Sequence, residues 1–107
     1  MSASSEAVAQ LPADVDLHAR PAARFVRMAM GFESSVRIAS GDREADAKSL
    51  LAVLALGARR GTSLRLAADG CDAAAAVAAL AACITGLEEN EPPRDRVDEP
   101  GDLRPVA

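Results

Sequence analysis

The interior of this chain must be built almost without rings. There is no Trp or Tyr and there are two Phe, against 25 Ala, although 50% of the 107 residues are hydrophobic. A core of that kind draws its volume from Leu, Val and Ile. It fills the remaining space by letting elements approach closely over Ala. The length suits one domain, near the size at which a single core becomes self-sufficient. The apolar content excludes wholesale disorder.

Charge divides the chain in two. Residues 1–87 hold nine acidic and nine basic side chains, so the net charge of -4 belongs to residues 88–107, with seven acids and three arginines. That stretch also carries four of the six prolines and few apolar residues. It cannot bury enough surface to offset its ordering entropy, and we read 88–107 as a disordered acidic tail. Residues 1–5 read as a short disordered start, and 6–87 as the domain.

Several function classes fall away. A chain this acidic and poor in aromatic residues lacks the basic stripe and stacking rings of a nucleic-acid binder. Cys71, Cys83 and His18 do not make up a metal site, and no cofactor is expected. The longest apolar run, Ala73 to Ile84, has 12 residues, short of the roughly 20 that a membrane span needs. Met1 to Gln10 does not resemble an export signal. The expectation is therefore a monomeric cytoplasmic protein with free thiols.

Periodicity supplies the elements. Ala7 to Leu11 reads as a short strand. From His18 to Met30, Ala22, Phe25, Val26 and Ala29 recur at helical spacing, with Pro21 in the first turn and Gly31 at the end. Ser34 to Ser40 alternates as a strand, Gly41-Asp42 turns, and Arg43 to Asp46 returns. Ser49 reads as the N-cap of a helix over Leu50 to Leu56, closed by Gly57. A strand follows over Thr62 to Ala68, then a turn at Asp69-Gly70. Asp72 reads as the N-cap of a last helix over Ala73 to Leu87, with Val77, Leu80, Ala81 and Ile84 inward. The order β-α-β-β-α-β-α predicts an α+β fold with helices on one face of an antiparallel sheet.

Two surfaces exceed what packing requires. At 100° per residue, Arg20, Arg24 and Arg27 fall within about 60° of one another, opposite the apolar stripe of the first helix. His18 stands at the start of that helix, where unpaired amides and the positive dipole end favour an anion. An adjacent guanidinium adds a forked donor. On the second helix, Leu50, Leu51, Val53, Leu54 and Leu56 surround most of the circumference. Only one stripe can face the sheet, so Leu50, Leu51 and Leu54 are expected outward as a contact patch.

These residues resemble a known family. Leu17-His18-Ala19-Arg20-Pro21-Ala22-Ala23 looks like the active-site motif of HPr, the histidine phosphocarrier of the bacterial sugar phosphotransferase system. Lys48-Ser49-Leu50-Leu51 with Leu56-Gly57 resembles the family's second signature, 31 residues after His18. Ala68-Asp69-Gly70 also fits. The resemblance implies an HPr-like open-faced β-sandwich, a four-stranded antiparallel sheet with three helices on one side.

It implies further that His18 takes a phosphoryl group on its pros nitrogen from phosphorylated enzyme I and passes it to the A domain of a sugar permease. Arg20 would neutralise the phosphoryl oxygens. Ala19, Ala23, Arg24, Arg27, Leu50, Leu51 and Leu54 would form the docking surface. Ser49, besides capping, would be a site for a regulatory serine kinase, with a transcriptional regulator as a further partner. Phosphorylation there would put about two negative charges beside Leu50 and Leu51. Two other readings stand beside sugar uptake: a carrier in a dihydroxyacetone-kinase or nitrogen-type relay, and a docking module without phosphotransfer. Where the family usually has Gly before the Leu-His pair, this chain has Asp16. Its carboxylate is expected to favour imidazolium at His18 and to repel a phosphate there.

Overall fold

A computed structural model describes residues 3–87. The elements are β1 (Ala3–Gln10), α1 (Ala19–Ala29), β2 (Ser35–Ser40), β3 (Arg43–Asp46), α2 (Leu50–Ala55), β4 (Ser63–Gly70) and α3 (Ala73–Thr85). The strands form one antiparallel sheet in the order β1-β4-β2-β3. Because the side-chain period of a strand is two, one face of the sheet is apolar and the other is not. Ala9, Val36, Ile38, Leu64, Leu66 and Ala68 point into the core with Phe25, Leu80 and Ile84 of the helices. Glu6, Val8, Arg37, Arg65 and Ala67 lie on the open face. The result is the expected four-stranded open sheet with three helices, an α+β fold.

The alanines sit where close approach needs them. In α3 the buried residues are Ala73, Ala76, Val77, Leu80 and Ile84, a stripe at helical spacing that packs on β1 and β4. Ala81, expected inward, is only half-buried. Ala73 and Ala76 take the inner positions at the start of the helix instead.

Three local expectations are corrected. β1 begins at Ala3, so residues 3–5 are paired strand and not a disordered start; Ala3, Ser4 and Ser5 face Gly70, Asp69 and Ala68 of β4. Backbone ladder bonds hold this polar stretch, which apolar alternation could not reveal. For the same reason β4 continues through Asp69 and Gly70. Asp72 stands at the N-cap position of α3, yet its side chain does not cap it. The carboxylate instead accepts from the amides of Glu33 and Ser34, each at 2.9 Å, and from the Ser34 hydroxyl. The expected tail, 88–107, lies outside the described residues.

That junction fixes how α1 feeds into β2. Ser34 is 2% exposed, and its polar atoms are satisfied by Asp72 as burial demands. Gly70 has φ +151°, and a Cβ there would stand 2.5 Å from Ser34 Oγ and 2.7 Å from Ser34 Cα. Only glycine allows this approach.

Candidate functional site

His18 is the N-cap residue of α1, with extended backbone angles of φ -111° and ψ -162° and no side-chain cap hydrogen bond. Its carbonyl accepts from the Ala22 amide at 2.8 Å, the first bond of the helix, and its own amide donates to the Asp16 carbonyl at 3.0 Å. Pro21 has no N–H. The first-turn donors that the helix does not itself use are therefore the amides of Ala19 and Arg20. The imidazole is exposed, and so are Ala19 and Arg20 beside it. An anion bonded to this imidazole would meet two amides, the helix dipole and a guanidinium.

Arg24 and Arg27 are exposed further along α1, and Ala23 is half-buried. On α2, Leu51 is 81% exposed and Leu50 is 38% exposed. Leu54 departs from them: it is half-buried and packs against the core. A six-residue helix lying against α1 turns that flank inward. The apolar patch is thus Leu50 and Leu51, with Leu54 lining a groove it shares with His18.

The groove has a volume of about 230 Å³ and is walled by Asp16, Leu17, His18, Leu54, Ala58 and Arg59. Two loops make it. The Leu17 amide donates to the Ala58 carbonyl at 3.0 Å. The Arg60 amide donates to Asp16 Oδ1 at 2.7 Å, while Arg60 Nε and Nη2 reach the same carboxylate at 3.4 and 3.3 Å. Gly57, at φ +64°, ends α2 in the left-handed conformation that starts the second loop.

Arg60 holds the Asp16 carboxyl below its ordinary value. The carboxylate expected to act on His18 is thus engaged by an arginine, and its charge is met locally. Arg59 and Arg60 fall between the second helix and the strand that follows it, where the sequence pattern assigns them no role. Their only signal was a pair of cations in a loop with no apolar purpose.

Ser49 is the N-cap of α2, as expected, and its hydroxyl accepts from the Ala52 amide at 3.3 Å. The preceding Lys48 is tied down, its Nζ donating to the Phe32 carbonyl at 2.7 Å. Both cysteines are free thiols. Burial raises the Cys83 pKa against the opposing influence of Arg24, which favours the thiol over the thiolate. Among the described residues no helix is long and apolar enough to cross a membrane.

Known proteins share this pattern. The family model for the PTS HPr component phosphorylation site matches residues 6–86. Phosphocarrier protein HPr of Haemophilus influenzae is 46% identical over 72 residues, which cover 67% of this chain and 85% of that protein. The multiphosphoryl transfer protein of Xanthomonas campestris is 44% identical over 75 residues, or 70% of this chain. The chain spans only 9% of that longer relative. Among solved structures, phosphocarrier protein HPr from Bacillus anthracis superposes with a TM-score of 0.74 at 31% identity. That match covers 78% of this chain and 99% of the other. With His18 at the head of α1 and Ser49 at the head of α2, the chain belongs to the HPr family of the phosphotransferase system.

Proposed function

We propose that this chain is a phosphocarrier in which His18 receives a phosphoryl group from phosphorylated enzyme I and hands it to the A domain of a sugar permease. The observation that carries the reading is an exposed imidazole at an N-cap that it does not itself cap, with Arg20 in the same turn. The lone pair of His18 Nδ1 attacks phosphorus. The bond from phosphorus to the donor breaks, and its electron pair leaves with the donor. In the next transfer a nucleophile of the acceptor bonds to phosphorus as the P–N bond breaks, and the electron pair of that bond returns to Nδ1.

The imidazole needs no acid–base partner for this step. In-line transfer relies on positioning and charge neutralisation, which the helix end and Arg20 provide. A P–N bond is labile, and lability suits a group that must leave as readily as it arrives. The protein is thus a carrier, without a small-molecule substrate of its own, acting in the cytoplasm.

Leu50 and Leu51 with Arg24, Arg27, Ala19 and Ala23 form a docking face suited to partners with an apolar centre and an acidic rim. Phosphate on Ser49 would compete with its cap and charge the edge of that face. Retention of both His18 and Arg20 speaks against a module that only docks. A dihydroxyacetone-kinase or nitrogen-type relay would use the same chemistry.

The test is incubation with phosphoenolpyruvate and enzyme I. An acid-labile phosphate on His18, lost in His18→Ala, is the expected result. Acid-labile phosphate that still forms on His18→Ala would sink the reading.

A further inference from the structure

The phosphoryl site is built for more positive charge than its own helix supplies. Arg59 lies between Ala58, whose carbonyl binds the Leu17 amide, and Arg60, whose amide and guanidinium bind Asp16. Both neighbours of Arg59 are therefore fastened to the two residues before His18. The loop that carries Arg59 is thereby fixed beside His18, and Arg59 walls the same groove as the imidazole. Arg59 is also near enough to Asp16 to lower its pKa. Its guanidinium makes no hydrogen bond among the described residues and is exposed.

We propose that Arg59 is a second guanidinium of the phosphoryl site, meeting the transferred group from the loop between α2 and β4 while Arg20 meets it from α1, and that the Asp16–Arg60 pair positions it there. This rests on His18 being the phosphoryl acceptor. During transfer the nitrogen–phosphorus bond forms as the bond to the donor breaks. The three equatorial oxygens carry the charge throughout. Arg20 and the helix amides address them from α1. Arg59 addresses them from the α2–β4 loop, so the group is held from two elements.

This gives Asp16 a purpose. A carboxylate beside a phosphate is unfavourable alone, but here it is neutralised by Arg60 and serves as the anchor for Arg59. Asp16 and Arg60 are positioning residues, and Arg59 is the group that touches the phosphoryl oxygens.

The experiment is rapid-quench phosphorylation by enzyme I and phosphoenolpyruvate of wild type, Arg59→Ala, Arg59→Lys, Asp16→Asn and the Asp16→Asn/Arg59→Ala double variant. Wild type is read first: no phosphate on its His18 removes the carrier reading itself. With wild type phosphorylated, Arg59→Ala is expected to transfer about tenfold more slowly, as befits loss of one charge-assisted bond. Arg59→Lys should recover part of the rate, since a point charge replaces a fork. Asp16→Asn should slow transfer severalfold, and the double variant should be no slower than Arg59→Ala alone. An unchanged rate in Arg59→Ala overturns the proposal while leaving the carrier reading intact. Losses that simply add in the double variant overturn the positioning role, as does a wild-type rate in Asp16→Asn. Melting temperatures taken in parallel identify any loss that comes from unfolding.

Discussion

The two ends of α1 are each tied down by an aspartate, and they are tied for opposite purposes. Beyond its C-terminus, Asp72 accepts from two amides and a hydroxyl, closing over a buried Ser34. Before its N-terminus, Asp16 accepts three bonds from one arginine, and the loop it secures leaves His18 and Arg20 open to solvent. The closed end uses neutral donors and stabilises the fold. The open end brings in charge and leaves helix donors to an incoming anion. A carrier needs both, because a nucleophile can be left exposed only on a helix fixed elsewhere.

This contrast breaks most easily at Gly70. Gly70→Ala forces a Cβ onto the Ser34 backbone from a φ that side chains avoid. It should cost about 3 kcal/mol of stability in urea melts. The folded fraction should still phosphorylate normally. At the open end, Arg20→Ala should slow phosphoryl transfer by about tenfold to a hundredfold, near 2 kcal/mol. Its melting temperature should match that of wild type. A large stability loss in Arg20→Ala, or a transfer defect in folded Gly70→Ala, would erase the distinction.

The acid limb separates the two aspartates. Hydrogen bonds from Ser34 and Glu33 hold the Asp72 carboxyl below its ordinary value of 3.8. Its contribution to stability is therefore present above that value and is lost as pH falls through the lower folded one. Asp16 behaves with the same sign because of Arg60. Salt distinguishes them. Melts between about pH 5 and pH 2 should lose in high salt the part of the Asp16 contribution that the Arg60 guanidinium supplies, and keep that of Asp72, whose partners are uncharged.

Smaller effects sharpen the picture at α2. Ser49→Ala removes the hydroxyl that accepts from Ala52 and should cost about 1 kcal/mol. Leu51 is 81% exposed, so Leu51→Ser should change stability by less than about 0.5 kcal/mol while weakening association with enzyme I. Titration calorimetry of the folded variant reads that difference.

Much of this was legible in the sequence where burial imposes a period. The Ala22, Phe25, Val26, Ala29 stripe and the Val36, Ile38 alternation mark elements whose inner faces are buried. The strand over Ala3 to Ser5 was not legible, because ladder bonds hold it and its side chains stay largely outside. Leu54 was misplaced because a two-turn helix offers too few positions to tell a flank from an outer face. His18, Arg20 and Ser49 stood out as residue types at helix starts. Asp16 with Arg60, and Asp72 with Ser34, did not. Those pairs lie 44 and 38 residues apart, and no local pattern joins them before the chain folds.

Phosphate is expected to arrive at one end of α1 while the other end holds still. An amide NMR map of the 15N-labelled protein before and after phosphorylation by enzyme I and phosphoenolpyruvate tests this most directly. Shifts should cluster at Asp16 to Arg20 and at Gly57 to Arg60, with Glu33, Ser34, Gly70 and Asp72 unmoved. Phosphorylation that leaves the His18 and Arg20 amides unchanged, or that moves the Ser34–Asp72 junction as much as the groove, would contradict it.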